Sequence, residues 1–140
     1  MPQLDYAFLC DFVKADPGGL AHVIGAGIDT VYAAETPTAH NFGLLIRITF
    51  TQGESGRPHR VEVFFRTEDG DELAKIEGVV SPVWDQGLPP GWPIGALLAL
   101  NFGLPLPSIG LYALEIMIDD SSAKSLNLRV LEPTVELPTS

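Results

Sequence analysis

Between Gly110 and Val130 the chain spells two alternating segments around a polar turn. Tyr112, Leu114, Ile116 and Ile118 recur at every second position, as do Leu126, Leu128 and Val130. A strand turns successive side chains to opposite faces, so each segment has one face for a core and one for water. Such a pattern constrains the fold more than any other feature of the sequence. It predicts an all-β chain.

The same period runs through the rest. Leu4, Tyr6, Phe8, Cys10 and Phe12 form the apolar side of a predicted first strand, with Asp5 and Asp11 on the other. Asp16-Pro17-Gly18-Gly19 supplies a turn, and a second strand is predicted from Leu20 to about Ala33, bent at Gly25 and Gly27. A third runs from about Gly43 to Thr51 with Leu44, Ile46, Ile48 and Phe50 inward, and a fourth places Val61, Val63 and Phe65 inward. Asp69-Gly70 is a strong hairpin signal leading to a fifth strand, Leu73 to Val80. Residues 81–93 are too rich in proline for a ladder and read as a long ordered loop. A sixth strand from Ile94 to Phe102, the closing hairpin and a short C-terminal tail, 133–140, complete the chain. About eight short strands with no amphipathic helix predict one domain, 1–140, built as an antiparallel two-sheet β-sandwich.

Composition narrows the function classes. The chain is 46% hydrophobic and 19% charged, which belongs to ordered globular proteins. Eighteen acidic against eight basic residues give a formal net charge of −10, which repels phosphate backbones and anionic lipid. Neither nucleic acid nor membrane is expected as a partner. A lone cysteine, Cys10, forms no intramolecular disulfide, and a first segment interrupted by Asp5 and Asp11 makes a poor signal peptide. A cytoplasmic location is expected.

Reactive signatures are missing where they would be sought. Val23-Ile24-Gly25-Ala26-Gly27-Ile28 opens like a dinucleotide fingerprint, but position 30 is Thr30 and the residues up to Pro37 leave no room for the phosphate-binding helix. His22, His40 and His59 have no ligand partner at metal-site spacing. Asp69, Asp71, Glu72, Asp119 and Asp120 lack the spacing of a calcium loop and read as turn residues. There is no Gly-x-Ser-x-Gly elbow, and Cys10 falls on an apolar face, where a thiol packs rather than reacts. The expectation is a non-catalytic protein without cofactor or metal.

Two apolar features remain unexplained. The loop 81–93 presents Trp84 and Trp92, and tryptophan anchors interfaces because it offers large area at low entropic cost. Leu97, Leu111, Ala113 and Met117 fall opposite the core set Leu98, Tyr112, Leu114 and Ile116, so the sixth and seventh strands read as apolar on both sides. Such a sheet is covered by something: the proline-rich loop, the tail or another copy. Trp84, Trp92, Leu97, Leu111 and Met117 are the candidate interaction residues, for a protein partner that includes a homo-oligomer. The alternative is a carbohydrate- or calcium-binding module that uses the tryptophan loop and the acidic turns.

Leu4-Asp5-Tyr6-Ala7-Phe8-Leu9-Cys10-Asp11, Val23-Ile24-Gly25-Ala26-Gly27-Ile28-Asp29, Leu88-Pro89-Pro90-Gly91-Trp92-Pro93 and Pro107-Ser108-Ile109-Gly110-Leu111-Tyr112 follow in that order. Together they resemble a family of small bacterial proteins, frequent in actinobacteria, described only as a domain of unknown function. The resemblance spans nearly the whole chain and implies a β-fold and a cytosolic location. Its motifs are glycine, proline and aromatic signposts, so it transfers no site.

Overall fold

A computed structural model describes residues 1–84 and 86–133, and the tail expected from the sequence lies outside them beyond position 133. Among the described residues ten strands follow one another: β1 Gln3–Cys10, β2 Phe12–Ala15, β3 Ala21–Ile24, β4 Thr30–Tyr32, β5 Thr38–Phe50, β6 His59–Thr67, β7 Glu72–Val80, β8 Ile94–Leu106, β9 Gly110–Ile118 and β10 Ser121–Leu131. A 3₁₀ turn, Gln52–Glu54, joins β5 to β6. Three strands form one sheet in the order β1-β5-β8, and five form a second in the order β4-β10-β9-β6-β7. Strands β2 and β3 make a separate hairpin.

The two sheets bury one core between them, and the alternation read from the sequence decides which side chains enter it. Leu44, Ile46, Ile48 and Phe50 from β5 meet Val61, Val63 and Phe65 from β6, Tyr112, Leu114 and Ile116 from β9, and Leu128 and Val130 from β10. All are at most 2% exposed. The fold is a β-sandwich. Its pairing is antiparallel with one exception among the described strands, β4 alongside β10.

Three sequence expectations need correction. The first concerns β1, where register slips between Leu4 and Tyr6. That bulge inverts the parity of everything after it, because a one-residue insertion turns the following side chains over. Ala7 and Leu9 enter the main core, while Tyr6 and Phe8 lie stacked on the outer side, ring centroids 6.0 Å apart.

The second concerns the strand count, ten rather than about eight. The single strand expected between Leu20 and Ala33 is cut into β3 and β4 by Gly25 and Gly27, whose φ values of 69° and 87° no β-branched residue would tolerate. The amides of Gly27 and Ile28 both donate to the Leu9 carbonyl, so this glycine pair is a corner between strands. The first predicted strand likewise breaks at Asp11, and its end becomes β2.

The third concerns the doubly apolar face. Strands β8 and β9 are consecutive in sequence but belong to different sheets. Leu97 therefore shares no face with Leu111 and Met117. What packs over Leu97 is the β2–β3 hairpin, which lies on the outer side of the three-stranded sheet. There Cys10, Val13 and Leu45 are buried, with Phe8, Ala21, Val23, Leu97 and Ala99 packed around them.

Asn101 fixes that hairpin in place. Its carboxamide accepts from the Val13 amide (3.1 Å) and donates to the Val13 carbonyl (2.7 Å), imitating one rung of a ladder between layers that share none. Beneath it Gly43 is obligatory for space, since a Cβ there would stand 2.7 Å from the Cys10 sulfur and 3.0 Å from the Val13 nitrogen. Asn101→Ala leaves both Val13 groups without their partner at a buried residue, and the expected loss is about 1–3 kcal/mol. Amide exchange should locate the loss: Val13 and Val23 lose protection while β6 and β9 keep theirs.

Candidate interaction surface

Chemistry requires reactive groups that are both assembled and reachable, and the best-assembled group here is out of reach. His59, at the start of β6, is 2% exposed, with its ring against Phe50 at 4.8 Å between centroids. Its Nδ1 lies 2.6 Å from an Asp119 carboxylate oxygen and its Nε2 lies 2.7 Å from the Glu54 carbonyl. Both partners are acceptors, so the geometry favours the ring with both nitrogens protonated. Burial opposes that charge, but the hydrogen bonds to Asp119 and Glu54 and the Asp119 charge outweigh it, and the His59 pKa stands above its ordinary value. A ring so enclosed has no free nitrogen for a substrate. It ties the 3₁₀ turn, β6 and the β9–β10 turn together.

The acidic turns do not converge. Asp119 receives His59 and the Arg60 amide, and Asp120 pairs with the Arg60 guanidinium. Asp69 and Asp71 follow Thr67, which sits opposite Tyr112, whereas Asp119 follows Ile118, which sits opposite Val61, so the two turns mark opposite ends of the sheet. Among the described residues no three His, Cys, Asp or Glu side chains gather as a metal group. Cys10 is fully buried, and burial followed by the neighbouring Asp11 charge pushes its thiol pKa up.

Of the sequence-derived interaction residues, Trp92 is 58% exposed, Leu111 is 39% exposed, and Trp84, Leu97 and Met117 are half-buried. They do not form one patch. Met117 lies on the outer side of the five-stranded sheet opposite Glu62, on a face occupied by charge. Glu62 bonds Lys75 at 2.9 Å and Arg60 at 3.2 Å, Arg66 pairs with Glu115, and Arg66 and Lys75 both stand over the Phe64 ring. That face satisfies itself.

The sheet edges differ sharply. An edge strand offers unpaired amides and carbonyls to any passing strand, and folded proteins guard it with charge, bulges or brevity. Strand β1 has Asp5 and a bulge, β4 is three residues long, and β7 carries Glu72, Lys75 and Glu77. Strand β8 has none of these, and its one guard is Pro105 near its C-terminal end. Its 13 residues, Ile-Gly-Ala-Leu-Leu-Ala-Leu-Asn-Phe-Gly-Leu-Pro-Leu, include no charge and pair with β5 without a slip from Ile94 to Leu106. Among the described residues no strand pairs with its other side. Ala96 through Leu100 are all half-buried, whichever face they occupy. The inner residues pack on the main core and the outer pair, Leu97 and Ala99, on the hairpin core.

Sequence reasoning picked out Leu97 on this strand but missed its setting. The missing signal was available: an uncharged run as long as 94–106 stands out in a chain with 18 acidic residues. That this run forms an edge is a matter of sheet order and could not be read locally. Asn101 and the hairpin it holds also escaped, because a polar residue in an apolar run says nothing of the backbone it meets 88 positions away.

Residues 5–131 match the model of a family of unknown function, DUF6941. No curated protein matches the chain. Among solved structures, the C-terminal domain of wzt is 13% identical with a TM-score of 0.48, the match covering 99% of this chain and 81% of that one. An immunoglobulin-like protein from Pseudomonas aeruginosa is 18% identical with a TM-score of 0.46, covering 93% of this chain and 96% of the other. No helix among the described residues is long and apolar enough to cross a membrane.

Proposed function

We propose, for a chain that belongs to the DUF6941 family of unknown function, a non-catalytic role as a protein-binding β-sandwich that takes up a strand along the open edge of β8. The observation that carries this reading is the contrast among the edges: three are guarded by charge, a bulge or brevity, whereas β8, the longest, has only Pro105 near its end and is open from Ile94 to Leu104. Strand addition gains its affinity from main-chain hydrogen bonds, which an open edge supplies without any pocket. The partner is protein, because nucleic acid would be repelled by the net charge of −10. A single buried thiol that needs no oxidising environment fits action in the cytoplasm.

The test places a photo-reactive benzoylphenylalanine at Phe102 on β8, and separately at Phe64 on the charged face, in cells that naturally make the protein. Adducts to protein are expected from position 102 and not from position 64. Equal yields at both positions, or none at either, would overturn the reading.

A further inference from the structure

We infer that Asn41 and Gly103, on the outer face of the three-stranded sheet, form a second clamp for peptide backbone, and that its occupant is an extended, basic segment of a partner protein. The site lies beside the β2–β3 hairpin and not along the open edge, so it stands apart from strand addition.

The chain writes Asn-Phe-Gly-Leu twice, at 41–44 on β5 and at 101–104 on β8. The antiparallel register lays one copy on the other, with Asn41 against Gly103, Phe42 against Phe102 and Gly43 against Asn101. A local two-fold axis normal to the sheet therefore passes between the two phenylalanines and carries each asparagine onto the other. The asparagines share a pose. A Cβ built on Gly43 would stand 3.0 Å from the Asn101 Oδ1, and one built on Gly103 would stand 3.1 Å from the Asn41 Oδ1. Asparagine and glycine are both poor strand formers, so their repetition within two long strands needs a reason.

One half of the pair shows what the arrangement does. Asn101 accepts from the Val13 amide and donates to the Val13 carbonyl, and the missing Gly43 side chain lets that backbone approach. The other half is built alike but engages nothing: Asn41 is exposed, and its carboxamide has no hydrogen-bond partner among the described residues. Between it and the hairpin lies a depression of about 320 Å³ whose walls include Asp11, Phe12, Asn101 and Phe102. A residue held by Asn41 as Val13 is held by Asn101 is read through its main chain. The wall reads the neighbouring side chains. Asp11 forms no ion pair among the described residues and Phe12 is 48% exposed, so a basic side chain beside an apolar one fits there. A net charge of −10 draws such a segment in from a distance.

A phage-displayed library of random dodecapeptides, selected on the whole chain and depleted on Asn41→Leu, tests the site. Enriched peptides are expected to carry Lys or Arg and to bind Asn41→Leu roughly tenfold more weakly than the wild type. Gly103→Val, which fills the floor of the clamp, should weaken the same peptides. Replacing each backbone amide of a selected peptide in turn by an ester should cost a similar factor at one residue, as a main-chain clamp requires. Circular dichroism melts control for folding: Asn41→Leu should melt with the wild type and Asn101→Ala below it, because only the second carboxamide is used within the chain. If Asn41→Leu fails to fold, Asn41→Ala takes its place.

A library that yields no peptide preferring the wild type overturns the inference, and so do peptides that tolerate every ester or ignore Gly103→Val. Enriched peptides without basic side chains overturn the part given to Asp11. Adducts formed in cells from position 102 that persist in the Asn41→Leu chain belong to the edge, and strand addition then stands whether or not this clamp does.

Discussion

Phe65→Ala is expected to cost about 3–5 kcal/mol of unfolding free energy, the range for truncating a buried aromatic. Phe65 is fully buried on the inner side of β6, the strand between β7 and β9. Its ring stacks on Tyr112 with centroids 5.2 Å apart and planes 15° from parallel. Relaxation would normally offset part of a cavity's cost, but Tyr112 cannot follow. Its hydroxyl donates to the Ser108 carbonyl at 2.5 Å and accepts from the Ser108 amide at 3.1 Å, which pins the ring to the β8–β9 corner. Urea unfolding measures the effect, with an unchanged dependence on denaturant identifying it as a stability change. Phe64→Ala, one residue away on the charged outer face, should cost only about 1 kcal/mol, since its ring is half-buried and engaged by Arg66 and Lys75. Equal costs at the two positions would contradict the assignment of faces.

His59→Ala is expected to cost about 2–4 kcal/mol, from the cavity beside Phe50 together with the orphaned Glu54 carbonyl. The same residue sets a pH dependence whose sign follows from its raised pKa. A histidine that binds its proton more tightly when folded contributes stability fully present below its unfolded value, about 6.5, and lost as pH rises through the higher folded value. The wild-type urea midpoint should therefore fall across that window. Asp119→Asn removes the carboxylate that favours the charged ring, while burial continues to oppose it. In this variant the fall should flatten, and an NMR titration should find the His59 pKa lower than in the wild type. A titration curve that does not move would show that Asp119 is not what holds the proton.

Much of the fold was legible because its signal is local. Period-two alternation in β5, β6, β9 and β10 names their buried residues correctly, since parity within a strand depends on nothing beyond the strand. The same logic failed in β1, where a bulge after Leu4 reversed the parity and left Tyr6 and Phe8 outside. No pattern in that segment announces the extra residue. Gly25-Ala26-Gly27 opens like a nucleotide fingerprint in sequence, and in the structure its positive φ values form the corner between β3 and β4.

The candidate site was legible only in part. Leu97 was identified as an apolar residue in excess of what the main core needs, and the excess is real. Its grouping with Leu111 and Met117 assumed that strands adjacent in sequence lie in one sheet, and here the corner at Pro107–Ile109 carries the chain from one sheet to the other.

By itself the sequence determined the all-β class, the sandwich, the inward residues of the regular strands and the uncharged character of 94–106, because each follows from side-chain type at a fixed spacing. Tertiary structure alone decided the strand order, the hairpin clamped by Asn101, the enclosure of His59 and the position of β8 at a sheet edge. Those depend on which segments meet across long stretches of chain, 88 residues for Asn101 and Val13 and 60 for His59 and Asp119. A strand's alternation marks its buried face without naming its neighbour, and an edge is defined by the neighbour it lacks.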